Sequence, residues 1–166
     1  MMEYKVAILD NLEEIISIKN KVKEQIIEEN LLIWQNGYPQ DELLHEDIEK
    51  GFGRVIVVDE QIVAYASYYP ALYDYDPGTF PIDDVMSFGR IMTKVTERNK
   101  GYASFLVKSM LDEARQNKIP GFGILVDSFN KKALSIYIKS GFKYIRTSSF
   151  PWAVLDVYYL DFSDEC

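Results

Sequence analysis

The chain has 166 residues, with 18 basic and 26 acidic side chains and a formal net charge of −8. This length suits one domain, so we predict a single domain over residues 1–166. The hydrophobic share of 48%, with 14% aromatic residues, is enough for a full core and excludes intrinsic disorder as the main state. The acidity argues against duplex nucleic acid as the principal partner, because phosphate contacts need a dense basic surface.

The charge is unevenly distributed along the chain. Residues 1–89 carry a net charge of −12, residues 90–146 a net charge of +8, and residues 147–166 a net charge of −4. This asymmetry predicts that different parts of the chain meet partners of different sign.

Cysteine and histidine usage argues against a metal centre and against disulfides. The single cysteine, Cys166, excludes an internal disulfide and a zinc-binding cysteine cluster, and the single histidine, His45, excludes a histidine-rich metal site. The N-terminal MMEYKVAILD lacks the apolar core of a signal peptide, and no apolar run approaches the ~18 residues of a membrane span. We therefore expect a soluble cytoplasmic protein with no metal and no membrane partner.

Hydrophobic periodicity predicts a strand and a long helix at the start of the chain. Residues 2–9 alternate weakly and predict the strand. Asp10 or Asn11 is a suitable N-cap for the helix, which we expect to end near Asn30. Its apolar face is interrupted only by the stem of Lys19. This face comprises Leu12, Ile15, Ile16, Val22, Ile26 and Ile27.

A loop, a second helix and a hairpin are expected next. Residues 31–39 mix large apolar residues with turn formers and predict a loop that packs on the core. Residues 41–50 predict a short helix closed by Gly51. The β-branched run 54–58 and the run 62–69 predict two paired strands, with a tight turn at Asp59-Glu60.

The remainder of the chain alternates between strands and helices. Residues 70–84 hold three of the six prolines and predict a loop. The later predicted elements are a strand at 86–95, a helix at 103–117, a strand at 123–126, a helix at 131–140 and strands at 144–149 and 154–162. The order predicts an α/β domain with one mixed, twisted sheet of about seven strands and about four helices.

The segment from Glu97 to Ala103, ERNKGYA, lies between a predicted strand and a predicted helix. The N-terminus of a helix offers unpaired backbone N–H groups and a partial positive charge, which favour a bound phosphate. Gly101 would let the backbone approach a ligand closely, and Arg98 and Lys100 add positive charge. An ordinary strand–helix turn with surface charges is the alternative interpretation, and the spacing alone does not decide between the two.

Two motifs in this region resemble those of the acetyl-CoA-dependent N-acetyltransferase superfamily, the GNAT fold. Arg98-x-x-Gly101-x-Ala103 matches the Arg/Gln-x-x-Gly-x-Gly/Ala signature. Asn130-x-x-Ala133, followed by Tyr137-x-Lys139-x-Gly141-Phe142, resembles the second signature. The separation of the motifs and the order of elements over nearly the whole chain also resemble the family.

The resemblance implies acetyl-CoA as co-substrate and a set of cofactor-binding residues. The strand residues Ile91, Met92 and Thr93 would pair with the pantetheine arm, and an N–H at Met92 or Thr93 would polarise the thioester carbonyl. Asn130 and Lys139 are also assigned to the cofactor. The CoA pyrophosphate would be held by the N–H groups around Arg98, Asn99, Lys100, Gly101, Tyr102, Ala103 and Ser104.

The resemblance also implies that Tyr137 donates a proton to the leaving CoA thiolate. A phenol with a pKa of about 10 can hydrogen-bond to or protonate a thiolate with a pKa of about 8.5. The alternative for Tyr137 is a core aromatic role, and the alternative for Asn130 is a helix N-cap.

The general base is left open by the sequence. An amine with a pKa near 10 must lose a proton before it attacks. Many relatives carry a glutamate one residue before the last valine of the fifth strand, where this chain has Leu125. The candidate bases are Glu97, Asp127, Asp84, Asp83 and His45, and a water chain ending at a backbone carbonyl is the alternative.

Aromatic and acidic residues are the candidates for an acceptor site. This fold builds that site from the N-terminal helices and nearby loops, which here supply Trp34, Tyr38, Tyr69 and Asp84. Such residues suit a cationic amine through cation–π and charge attraction. The alternative is that the acids are solvated turn residues and the aromatics are core residues or dimer contacts.

The leading hypothesis is an N-acetyltransferase acting on a small-molecule or peptide amine by direct attack in a ternary complex, because no cysteine other than Cys166 is available to carry the acetyl group. A second hypothesis is a catalytically silent CoA-binding sensor or interaction module. A third is a homodimeric structural protein in which residues 150–159 pair across a two-fold axis.

Overall fold

The computed structural model describes residues 1–31, 33–34 and 36–165 and has the predicted α/β architecture. Seven strands form one sheet in the order β1-β2-β3-β4-β5-β7-β6. The strands are β1 Met2–Val6, β2 Gly53–Val58, β3 Gln61–Pro70, β4 Met86–Thr93, β5 Gly121–Val126, β6 Lys143–Phe150 and β7 Ala153–Asp161. The helices are α1 Leu12–Glu28, α2 Asp41–Glu49, α3 Ala71–Asp74, α4 Tyr102–Gln116 and α5 Lys131–Lys139. The prediction about Cys166 lies outside the described residues.

The chain divides into two compact units. Unit 1 comprises Met1–Tyr68 and Gly89–Leu106, and unit 2 comprises Tyr69–Phe88 and Val107–Cys166. No helix of the described residues combines the length and the hydrophobicity that crossing a membrane requires.

In unit 1, α1 and α2 bury their apolar faces in a core with β2, β3 and the end of β4. That core contains Ile15, Ile18, Val22, Ile26, Leu44, Ile48, Val55, Ile62, Tyr65 and Met92. The predicted face of α1 is wrong at one position, because Ile27 is 75% exposed and Ile18 is buried in its place. Ile33 and Trp34 pack against this core, as predicted for the loop that follows α1.

The predicted hairpin of β2 and β3 is confirmed. Val58 pairs with Gln61, and Asp59 and Glu60 have φ values of 50° and 66°. Two successive left-handed residues are typical of a type I′ turn, whose twist matches that of the flanking strands. The first strand is shorter than predicted, since β1 ends at Val6 and a 3-10 turn begins at Leu9.

In unit 2, β5 and β6 both pair with β7 in antiparallel register. Both edges of β7 therefore have partners within the chain, and the homodimer of the third hypothesis stays a prediction. The predicted loop at 70–84 contains one short helix, α3, which raises the count to five helices in the described residues. Ala71 is buried there, where it packs with Phe80 and Val85 in a hydrophobic cluster.

Candidate functional site

The last residues of β4 connect the core of unit 1 to the candidate cofactor loop. Met92 is buried in that core, whereas Ile91 and Thr93 are half-buried on either side of it. The N–H of Lys94 donates to the carbonyl of Val63 over 2.8 Å, which fixes the end of the strand against β3.

The loop after β4 has a backbone shape that needs glycine at one position. A 3-10 turn at Val95–Glu97 is followed by Asn99 with a φ of 65° and Gly101 with a φ of 82°. A Cβ built on Gly101 would meet nothing within 4 Å, so glycine is required there by its left-handed conformation and not by crowding within the protein.

Helix α4 begins directly after Gly101. The carbonyl of Gly101 accepts the first helical hydrogen bond from the N–H of Phe105, at 3.0 Å. The N–H groups of Tyr102, Ala103 and Ser104 belong to the first turn, where N–H groups have no partner within the helix and the helix dipole is positive. The predicted phosphate-binding residues 98–104 therefore form one continuous loop and helix start.

The two cations of this loop are each paired with a carboxylate. Arg98 Nη1 lies 3.5 Å from Glu29 Oε1, and Lys100 Nζ lies 2.6 Å from Glu97 Oε2. The hydrogen bond from Lys100 to Glu97, followed by their charge attraction, raises the pKa of Lys100 above its usual value. A bound phosphate would compete with these carboxylates for the same two side chains.

Three further predicted residues, Asn130, Tyr137 and Lys139, lie on α5 or cap it, in unit 2. Asn130 is the N-cap of this helix, and its side chain accepts a bond from the N–H of Ala133 over 3.4 Å. Its capping alternative is thus confirmed, and capping is compatible with a role toward the cofactor. Lys139 is the exposed last residue of the helix.

Tyr137 is a buried tyrosine on the inner face of α5, with 4% of its surface exposed. Its ring lies 5.4 Å from that of Phe88 and 6.1 Å from that of Phe142, both in T-shaped contacts. Burial, and to a lesser degree the charge that Tyr75 would carry, raise the pKa of Tyr137 above the usual value. The hydroxyl is therefore protonated at neutral pH and can donate a hydrogen bond.

Three of the candidate bases have structural partners. Glu97 pairs with Lys100, Asp127 Oδ1 accepts from the N–H of Phe129 at 2.8 Å, and Asp83 Oδ1 accepts from the N–H of Gly78 at 2.8 Å. His45 and Asp84 are exposed. Leu125, at the position where many relatives have glutamate, packs against the buried cluster of unit 2.

The predicted acceptor residues fall in both units and differ in environment. In unit 1, Trp34 is half-buried against the core, and the Tyr38 hydroxyl accepts a bond from Arg90 Nη1 at 3.0 Å. In unit 2, Tyr69 is fully buried and its hydroxyl donates to Asp74 Oδ2 at 3.1 Å, whereas Asp84 is exposed. Tyr69 is thus a core residue, and Asp84 is a solvated residue, as the alternative interpretation predicts for each.

Sequence reasoning missed a buried polar cluster in unit 1. Asp47 of α2 is fully buried and binds Arg90 of β4, with Arg90 Nε 2.6 Å from Asp47 Oδ2. Ser67 Oγ donates to the same carboxylate oxygen at 2.6 Å. One signal was present in the sequence: Asp47 shares a helix face with Leu44 and Ile48, where an acid is unusual unless it has a buried partner.

The sequence model of the acetyltransferase (GNAT) family matches residues 20–142, and the chain belongs to this family. No curated protein sequence matches the chain. Among solved structures, a GNAT-family acetyltransferase from Streptococcus agalactiae has 21% identity and a TM-score of 0.81, covering 96% of this chain and 95% of its own.

Two other similar structures were solved with the cofactor. PaiA N-acetyltransferase from Thermoplasma acidophilum, in complex with coenzyme A, has 15% identity and a TM-score of 0.73, covering 97% of this chain and 99% of its own. YncA from Salmonella typhimurium, with its cofactor acetyl-CoA, has 16% identity and a TM-score of 0.71, covering 96% of this chain and 93% of its own. At these identities the likeness concerns the fold.

Proposed function

We propose that the protein transfers an acetyl group from acetyl-CoA to a primary amine of a small molecule or peptide, by direct attack in a ternary complex. The observation that carries this proposal is the left-handed Gly101 immediately before the first turn of α4, in a chain of the GNAT family. We further propose that the protein acts as a single cytoplasmic domain, and that two copies associate.

The residues of the loop fit the pyrophosphate of CoA. The first-turn N–H groups of α4 are the kind of donors that bind phosphate oxygens, and Arg98 and Lys100 supply charge beside them. The net charge of +8 over residues 90–146 suits the same anionic co-substrate.

The end of β4 would hold the reactive end of acetyl-CoA, which supplies an activated acetyl group and a thiolate leaving group. Backbone groups of Ile91 and Thr93 would pair with the amides of the pantetheine arm, as in strand addition. An N–H at Met92 or Thr93 would donate to the thioester oxygen, where negative charge develops as the amine attacks.

Tyr137 would donate a hydrogen bond to the departing sulfur. Its raised pKa keeps the phenol protonated at neutral pH. Because a thiol has a pKa of about 8.5, full proton transfer from this phenol to a thiolate is uphill. The phenol therefore stabilises the thiolate by hydrogen bonding. The proton that finally neutralises the sulfur is the one that the amine nitrogen releases after its attack.

The incoming amine must reach the thioester as a neutral nucleophile. Glu97, Asp127 and Asp83 have structural partners, which favours solvent as the acceptor of the ammonium proton. The aromatic residues Trp34 and Tyr38 would receive the substituent of a cationic acceptor, because aromatic faces attract such groups.

Two measurements test this function. Calorimetric titration with acetyl-CoA should show binding in the micromolar range, and a thiol-release assay over a panel of amines should reveal turnover. Absence of binding at micromolar acetyl-CoA would overturn the proposal.

A catalytically silent CoA-binding sensor is the second candidate. The observation that favours it is Leu125, an apolar residue at the position where the family resemblance suggests a glutamate base, which packs against the buried cluster of unit 2. Binding of acetyl-CoA without thiol release for any amine of the panel would support the sensor, whereas release with one amine class would exclude it.

A further inference from the structure

Arg90 has an unusual backbone conformation for a strand residue. It lies inside β4 with a φ of 54°, in the left-handed region that L-residues with bulky side chains rarely adopt. Such a conformation persists only where the surrounding structure over-determines it, and it is a reason to look for a function. Because rotation about φ redirects everything that follows, this residue sets the direction of the peptide groups from Ile91 onward.

The side chain of Arg90 is fixed by a buried ion pair. Its side chain is 1% exposed, and that of Asp47 is 0% exposed. Arg90 Nε lies 2.6 Å from Asp47 Oδ2, and Arg90 Nη2 lies 3.3 Å from Asp47 Oδ1, so the contact is bidentate. Two parallel bonds define the position of a guanidinium more strictly than one charge contact does.

Further hydrogen bonds hold the carboxylate itself in place. Ser67 Oγ donates to Asp47 Oδ2 over 2.6 Å, and Ser67 Oγ lies 2.8 Å from the Tyr65 hydroxyl, with both partners on β3. Arg90 Nη1 also donates to the hydroxyl of Tyr38, in the segment between α1 and α2, at 3.0 Å. The cluster thereby connects α2 and β3 to one residue of β4, and all of it lies in unit 1.

We propose that Asp47 is a positioning residue for acetyl transfer: its buried ion pair with Arg90 holds Arg90 in the left-handed conformation that aims the N–H of Met92 or Thr93 at the thioester carbonyl. This inference rests on the proposed function. Asp47 touches neither substrate nor cofactor and acts through the backbone of β4. The hydrogen bond from Arg90 to Tyr38 connects the same ion pair to a candidate acceptor residue.

The test measures the polarisation of the carbonyl directly. Acetyl-CoA labelled with 13C at the thioester carbonyl is bound to the full chain, and infrared difference spectroscopy compares the bound carbonyl band with that of free acetyl-CoA. The wild-type protein should lower the band frequency, because hydrogen bonding weakens the C=O bond. Asp47→Asn should lose most of this shift and lower kcat by about tenfold or more, with the acetyl-CoA Kd changed less than about threefold.

A second variant guards against loss of folding. Asp47→Asn leaves the Arg90 charge buried without its counter-ion, which can unfold a protein, whereas exchanging both partners for apolar residues often does not. Asp47→Leu/Arg90→Met therefore removes the ion pair without stranding a charge, and it should show the same loss of shift. Asp41→Asn is the matched control: it breaks the ion pair of Asp41 with the buried Lys19, which involves no residue of β4, and should keep the wild-type band and kcat.

The outcomes separate this inference from the proposed function. A folded double variant with the wild-type band position and kcat overturns the positioning role of Asp47. Wild-type protein that binds acetyl-CoA without any band shift also overturns it. Wild-type protein that fails to bind acetyl-CoA overturns the proposed function itself, and the inference with it.

Discussion

Arg98 and Glu29 form an ion pair within unit 1, with 3.5 Å between Nη1 of the arginine and Oε1 of the glutamate. Glu29 is the C-cap residue of α1, and Arg98 opens the loop that we assign to the CoA pyrophosphate. The side chains are 29% and 43% exposed, and pairs of such exposure contribute little to stability. If the loop holds the pyrophosphate as proposed, the carboxylate would therefore act more as a competitor of the phosphate than as a structural support.

Glu29→Gln should strengthen acetyl-CoA binding. The substitution removes a negative charge beside the loop and frees Arg98 for the pyrophosphate, which should lower Kd by about two- to fivefold at low salt. Calorimetry at low and high salt measures the effect, which should shrink as salt screens the charges. Asp112→Asn is the control, because this acid pairs with Lys108 and Arg115 farther along α4. Unchanged or weaker binding in Glu29→Gln would contradict the assignment of the loop.

Gly101→Ala should weaken both folding and acetyl-CoA binding. An alanine at a φ of 82° costs roughly 1–2 kcal/mol, and relief of that strain would reorient the first turn of α4. Gly51→Ala is a matched control, since Gly51 has a φ of 80° and equally open surroundings but follows α2. Thermal unfolding should show similar losses for both variants, whereas calorimetry should show weaker acetyl-CoA binding for Gly101→Ala alone. Equal binding by the two variants would argue against a phosphate site at this loop.

Tyr137→Phe should lower turnover far more than acetyl-CoA affinity. The phenyl ring keeps the contacts with Phe88 and Phe142, while the hydrogen bond to the leaving sulfur is lost. We expect kcat to fall by about a hundredfold and Kd to stay within about threefold. Tyr144→Phe, at an exposed site on β6, serves as the control. Equal turnover of Tyr137→Phe and wild type would remove Tyr137 from the mechanism.

The elements that sequence predicted well are those whose signal is local. The turn at Asp59 and Glu60 lies between a β-branched run and a second strand-forming run, and the loop before α4 combines a charged segment with a glycine. On α1, the error at Ile27 arose because Ile26 and Ile27 are adjacent on the helix, and only the packing of neighbouring elements decides which of two adjacent residues turns inward.

The buried pair of Asp47 and Arg90 shows why features that depend on tertiary contacts were not predicted from the sequence. The partners are separated by 43 positions, and although Asp47 shares a helix face with buried residues, nothing local in the sequence identifies Arg90 as its partner. Their contact depends on how α2 and β4 meet, which no local pattern records. The left-handed backbone at Arg90 is likewise a product of tertiary contacts, since arginine has no intrinsic preference for that conformation.

The stability of the protein should fall at alkaline pH, in part because of Tyr137. Burial raises the pKa of this hydroxyl, and Tyr75 adds charge repulsion, whereas in the unfolded chain tyrosine ionises near pH 10. Above that pH the unfolded chain holds this proton less often than the folded chain does, so the contribution of Tyr137 to the free energy of unfolding is fully retained below about pH 10 and decreases as pH rises further. Urea unfolding at several pH values should give Tyr137→Phe a shallower decline than wild type, by up to about 1.4 kcal/mol per pH unit. Phe142→Leu, which alters the same core without a titratable group, should keep the wild-type slope. Parallel slopes for wild type and Tyr137→Phe would show that the phenol does not stay protonated in the folded protein.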